Sequence, residues 1–242
     1  MSLIYCVGKT DPGLVRTNNE DTFAMDEQKG YCLVADGIGG AADGEIASEL
    51  FAATVRDLAA RLDTFREDTA ADLVETTFKK GNTAIFNYAL DDASRMGMGC
   101  TAELIVFCPT GFVLGHIGDS RTYRLRNKVL KQLTRDHSLR QEQLDLGLIS
   151  RSELDSHAYK NLITRALGIE KHATLDILKG STLPGDLFLQ CSDGLTDMIA
   201  DAAILEILTD SISEDTMADL LVRAALDAGG RDNITVVLAR II

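Results

Sequence analysis

Short runs of apolar residues bounded by turn-forming residues recur along both ends of this chain, and they predict strands. The runs fall at residues 3–7, 22–25, 31–35, 101–107, 112–117, 121–125, 129–133, 174–178, 186–190 and 234–239. Pro109-Thr110-Gly111 and Arg126-Asn127-Lys128 read as hairpin turns. Helical spacing replaces this pattern in two blocks. The first covers 45–62, with Ile46, Leu50, Phe51, Val55, Leu58 and Leu62 on one face, and 70–94; the second covers 202–208 and 215–228. Consecutive strands with segregated helix pairs predict an α+β chain: two packed antiparallel sheets flanked on both sides by helix pairs, an α/β/β/α sandwich. A parallel doubly wound sheet would need a helix after nearly every strand.

No repeat, low-complexity tract or linker interrupts residues 1–242, so a single domain is expected. Between 136 and 165 the periodicity weakens into a polar, partly helical stretch, read as a small flap subdomain that covers or gates a site. No apolar run approaches the ~20 residues that span a bilayer, and the amino terminus lacks a basic start followed by a long apolar stretch. The expectation is a cytoplasmic protein without a membrane partner. Five cysteines, odd in number and without a CxxC pair, form neither a disulfide framework nor a zinc site. Four sit in apolar runs as small buried thiols; Cys100 is less clear.

A formal net charge of -13 argues against a nucleic-acid partner, which would need clustered Lys and Arg. Most of the 37 acidic residues must be solvated helix faces, such as 67–72 and 210–219. A few share another setting. Asp36 ends the run YCLVA, Asp119 follows FVLGHIG, Asp193 follows LFLQCS, and Asp232 precedes NITVVLA, while Glu20-Asp21 opens TFAM. A lone Asp beside Gly is more often a turn former or cap, which is the reading for Asp43-Gly44. Recurrence at strand ends shifts the balance, because strand ends on one edge of a sheet meet in space. Two carboxylates ~4 Å apart repel by about 4 kcal/mol at an effective dielectric of 20. Hard divalent cations relieve that repulsion, and an all-oxygen donor set selects Mg²⁺ or Mn²⁺. Spacing alone reaches an oxygen-ligated metal site and no reaction.

Seven stretches carry the reading further: Gly13-x-x-Arg16-x-x-Asn19-Glu20-Asp21, Val34-Ala35-Asp36-Gly37-x-Gly39-Gly40, 115–121 (GHIGDSR), Asp136-His137-Ser138, 163–168 (ITRALG), 191–195 (CSDGL) and 231–235 (RDNIT). In this order the chain resembles the bacterial branch of the metal-dependent protein phosphatase (PPM) family. The resemblance implies hydrolysis of phosphoserine and phosphothreonine in proteins by a water activated between two Mn²⁺ or Mg²⁺ ions. Asp36 would bridge the ions, the Gly37 carbonyl would ligate one, and Asp193 with Asp232 the other. Glu20 and Asp21 would act directly or through water, and Asp119 with Asp193 would hold a third, weaker ion. Arg16 would grip the phosphate and Asn233 would order the adjoining loop. The implied partners are phosphoprotein substrates and a cognate serine/threonine kinase. Two departures stand out: Ile38 occupies a position where some relatives have an acid histidine, and Cys100 one where they usually have threonine, a packing change. Arg121 reads as a structural partner for buried carboxylates, and His116, lone in an apolar strand, as a packed residue; neither these nor His137 and His157 can be assigned as the acid. Two other readings stand beside this one: a catalytically inactive binding module on the same scaffold, and another two-metal phosphoesterase.

Overall fold

The computed structural model describes residues 4–39, 43–62, 66–150, 153 and 162–242. Ten of its strands form two five-stranded sheets, and every pairing is antiparallel. One sheet orders β1 (Ile4–Asp11), β12 (Ile234–Ile241), β11 (Leu187–Cys191), β8 (Arg121–Arg126) and β9 (Val129–Gln132). The other orders β10 (Asp176–Gly180), β7 (Gly111–Ile117), β6 (Ala102–Cys108), β3 (Tyr31–Ala35) and β2 (Thr22–Asp26). The sheets pack through Ile4, Val34, Ile105, Leu114, Phe188 and Val237, with Phe188 edge-on to Phe107 and Phe112 at 5.2 Å between ring centroids.

Helices α1 (Gly44–Ala60) and α2 (Glu67–Leu90) cover the second sheet. Helices α5 (Asp201–Thr209) and α6 (Glu214–Asp227) cover the first. Strands β3, β6, β7 and β11 are buried along their whole length, because each is packed on both faces. The expected sandwich is therefore the one observed.

Local details differ. On α1 the fully buried residues are Ala47, Ser48, Phe51, Ala52, Val55 and Ala59, whereas Ile46, Leu50, Leu58 and Leu62 lie only partly buried at the flank. Small side chains let the helix approach the sheet closely, so the buried stripe is rotated from the one the large residues suggest. Asp43 stands at the amino end of α1 but makes no side-chain cap. Sequence periodicity also missed a two-residue ribbon, β4 (Gly37–Ile38) with β5 (Gly99–Cys100), and the short helix α4 (Asp193–Thr196), while α3 (Leu139–Asp145) falls in the stretch expected to be partly helical. The 126–128 turn does form, with Asn127 and Lys128 both at positive φ (51° and 62°) as a two-residue hairpin of the I′ type requires.

All five cysteines are buried and free, with Cys6 and Cys32 bringing their sulfurs to 3.3 Å across the sheets. Burial lifts the Cys100 and Cys191 thiols well above their ordinary range, which keeps them unreactive. No helix of the described residues is long and apolar enough to cross a membrane. Part of the expected 136–165 flap, with His157, lies outside the described residues; its two described ends meet through the Ser138–Ile163 bridge.

Candidate metal centre

Antiparallel register brings the strand-end acids to one edge of the sandwich. Thr22 pairs with Ala35, Cys191 with Arg121 and Val236, and Asp11 with Ile234. The ends of β3, β7 and β11 therefore lie beside the starts of β2, β8 and β12. A cleft of about 340 Å³ opens there, lined by Arg16, Glu20, Asp36, Asp119, Asp193 and Asp232, with Gly37–Gly39, Thr101, Ile163 and Asn233 completing the wall. Asp21 lies beneath, buried, with one carboxylate oxygen accepting from Ser192 Oγ at 2.7 Å and the other without a partner.

The backbone around the cleft is tightly fixed. The Gly37 N–H donates to the Glu20 carbonyl (3.1 Å), and a Cβ on Gly37 would collide with the carbonyls of Gly44 and Glu20. Asn233 bolts the loop that carries Arg16: its Oδ1 accepts the Glu20 N–H at 2.7 Å, and its amide donates to the carbonyls of Pro12 and Asn18. Thr101 joins two acid-bearing loops, since its Oγ1 accepts the Asp36 N–H at 3.0 Å and lies 2.7 Å from Ser120 Oγ. Gly118, at φ 106°, makes the turn into Asp119 and is clasped by His137, whose N–H donates to its carbonyl (2.7 Å) and whose Nδ1 accepts its N–H (3.1 Å). Hydroxyl and histidine supports of this kind carry no spacing signature and were missed in the sequence.

Electrostatics show what the cleft is suited to hold. Burial, then the charges of Asp21, Asp193, Asp119 and Asp232, hold the Asp36 carboxyl well above its usual range. Asp193 is raised in the same way by burial and by Asp119, Asp197, Asp232 and Asp21. Burial lifts Asp21 to about 6 and Asp119 to about 7, although Arg140 and Arg121 oppose the latter. Arg121 itself grips Asp136 through two nitrogens at 2.7 and 2.9 Å and reaches Tyr123 Oη, as a structural partner would. Among the described residues no three such side chains close on a single point as they stand; they ring the cleft. Clustered carboxylates raising one another, with a buried oxygen of Asp21 unsatisfied, fit a hard divalent cation, which would lower every one of these costs.

Arg16 occupies the cleft in an ion pair with Asp232 (2.7 Å) and is half-exposed. Among the described residues, no histidine or cysteine lines the cleft. His116 lies deeper, pairing with Glu103 through a short contact at Nδ1 and donating from Nε2 to the Arg135 carbonyl (2.8 Å).

Residues 15–227 match the protein phosphatase 2C family. The chain belongs to that family. This phosphatase is 38% identical over 240 residues to the serine/threonine phosphatase stp of Listeria innocua, covering 95% of this chain and 93% of the relative. Its fold superposes on the crystal structure of the Mycobacterium tuberculosis serine/threonine phosphatase PstP/Ppp with a TM-score of 0.89, at 37% identity and 98% coverage of both chains. A structure of the PstP catalytic domain in complex with two manganese ions gives a TM-score of 0.88, at 37% identity and full coverage of both chains.

Proposed function

We propose that this phosphatase 2C hydrolyses phosphoserine and phosphothreonine in proteins at the acidic cleft, using two Mn²⁺ or Mg²⁺ ions held by Asp36, the Gly37 carbonyl, Asp193 and Asp232. Glu20 and Asp21 support that shell directly or through water, and Asp119 with Asp193 holds a third, weaker ion. The observation that carries the reading is the meeting of Asp36, Asp119, Asp193 and Asp232, from four separate strand ends, with Arg16 in one cleft. Bound there, the ions supply a water ionised near neutral pH and a counter-charge for the phosphoryl oxygens.

The chain's own residues do the rest. Arg16 offers a planar guanidinium suited to two phosphate oxygens, and the incoming phosphate competes with Asp232 for it. Thr101 Oγ1 is committed to the Asp36 amide and Ser120, no cysteine lines the cleft among the described residues, and its carboxylates are the cation ligands of this reading, so no side chain is left to attack phosphorus. Water is therefore the attacking group and no phosphoenzyme forms. With Ile38 lining the wall and no histidine there among the described residues, the proton for the departing serine or threonine oxygen comes from water held at the cations or from another group. The five free, buried thiols and the lack of an apolar helix long enough to cross a bilayer among the described residues support a cytoplasmic setting. A serine/threonine kinase acting on the same proteins is the counterpart this activity calls for. We read the segment 136–165 as the flap of this cleft; of its described residues, Ile163 stands in the cleft wall.

The test is phosphate release from a phosphothreonine peptide with Mn²⁺, with chelator, and with Asp36→Asn or Asp193→Asn protein. Release should be lost in chelator and in both variants while circular dichroism stays unchanged. Either variant keeping most of the turnover overturns the assignment.

A further inference from the structure

Beside the cleft lies a second and larger depression of about 850 Å³, along the outer side of α2. Its floor is apolar, formed by Phe78, Phe86, Leu175 and Ile177. Lys79, Lys171 and His172 stand on its walls, against Glu75 as the single carboxylate. Neither Lys79 nor Lys171 has an ion-pair partner among the described residues, in a chain whose net charge is -13. Leu90, at its end, is 67% exposed.

The groove is preformed. Buried Asn82 donates from Nδ2 to the Glu170 and Lys171 carbonyls (3.0 and 3.2 Å) and accepts the Gly168 N–H at Oδ1 (2.8 Å), bolting one wall to the helix. It leads toward the catalytic end. His172 and Ala173 line both the groove and an adjoining hollow whose wall includes Thr164 and Arg165, and Thr164 follows Ile163 of the cleft. Arg165, in the wall of that hollow, is paired with Asp176 (3.3 Å).

We infer that this groove is a docking site for an acidic, aliphatic segment of the phosphoprotein substrate, outside the phosphorylated residue itself. The inference rests on the phosphatase reading and names its substrate class. Most of this acidic surface repels such a segment; here two unpaired ammonium groups flank an apolar floor and attract it. Holding the segment there raises the local concentration of the phosphorylated residue at the cleft without touching the reacting atoms.

The experiment compares three substrates: p-nitrophenyl phosphate, a short phosphothreonine peptide, and the same peptide extended by an acidic, aliphatic flank. Each is assayed with Mn²⁺ on the unaltered chain and on the exposed-residue variant Lys79→Glu/Lys171→Glu. For the extended peptide KM should rise about 5- to 10-fold in the variant, as two reversed exposed charges imply. The two small substrates should be unchanged, and high salt should erase the difference. A dephosphorylated extended peptide should bind the unaltered chain by fluorescence anisotropy and lose that binding in the variant. Equal kinetics on all three substrates, an equal loss on all three, or an altered sedimentation mass that marks the groove as a contact between copies would overturn the docking site. Failure of the unaltered chain to cleave p-nitrophenyl phosphate would instead remove the phosphatase reading beneath it.

Discussion

Thr101 Oγ1 lies 2.7 Å from Ser120 Oγ and at the same time accepts the amide of Asp36, so one hydroxyl ties the end of β3 to the turn after β7. Both groups are buried, and removing the hydroxyl leaves a donor and a hydroxyl unsatisfied. Thr101→Val should cost about 1–3 kcal/mol and weaken Mn²⁺-dependent turnover, because Asp36 and Asp119 lose their common anchor. Thr101→Ser should restore most of both. Thermal melts and a metal titration of activity check the pair; a valine variant as stable and as metal-responsive as the parent contradicts the role.

The buried Glu103–His116 pair makes a second expectation. Burial alone would lower the His116 pKa, but the Glu103 charge and hydrogen bond lift it to about 9, while burial raises Glu103. Together they hold a proton between the sheets, with Thr122 Oγ1 also donating to Glu103. Glu103→Ala strands an imidazole in the core and should destabilise by about 3–5 kcal/mol, whereas Glu103→Leu with His116→Leu should cost less than the single change. Urea unfolding of the parent and the two variants decides it; a double variant less stable than Glu103→Ala speaks against a paired proton.

Much of this architecture was legible in the sequence because buried strands such as 102–108 read as continuous apolar runs bracketed by turns, and the strand-end position of Asp36, Asp119, Asp193 and Asp232 was visible with them. What escaped has physical reasons. A two-residue ribbon such as Gly37–Ile38 has no period. The α1 face was misread because alanines, not the larger residues, make its closest approach to the sheet. Thr101, Ser120, Ser192 and His137 act through hydrogen bonds to residues distant in sequence, which leave no trace in spacing. The ion pair of Arg16 with Asp232 joins residues 216 apart.

His137 offers a test of one such support. Its Nδ1 accepts the Gly118 amide, its carbonyl accepts from Thr164, and its ring stacks 4.5 Å from His116. Asn places an oxygen near the Nδ1 position, while Leu keeps bulk without an acceptor. His137→Leu should therefore need more Mn²⁺ for half-maximal turnover, by about fivefold for the loss of a buried amide bond worth ~1 kcal/mol, and His137→Asn much less. Identical metal curves for the two variants would show that the acceptor does not matter.

For Arg16→Ala, the cost to folding should be under about 1 kcal/mol, since the Asp232 pair is half-exposed. The kinetic effect should be larger and should fall on KM, because a bidentate grip on phosphate is lost. Steady-state kinetics alongside a thermal melt separate the two; a normal KM would take Arg16 out of substrate binding.

Stability of the metal-free protein should fall as pH rises. Burial holds Asp21 at about 6 and Asp119 at about 7, and keeps Asp36 and Asp193 well above 3.8, so the folded chain binds more protons than the unfolded one between about pH 4 and 7. Stability declines with pH wherever that holds. His116, raised to about 9, acts in the same sense above its ordinary value. His137, lowered to about 4 chiefly by burial, acts in the opposite sense below 6.5, one group against four carboxylates. The chelated protein should therefore melt at least about 2–4 °C higher at pH 5.5 than at pH 8, the shift for ~1 kcal/mol in a chain of this size. Saturating Mn²⁺ should remove or reverse the trend, because bound cations hold the carboxylates ionised and metal binding releases their protons. Melts with and without chelator across this range check both halves, and a metal-free protein that gains stability toward pH 8 would mean that these acids do not repel one another.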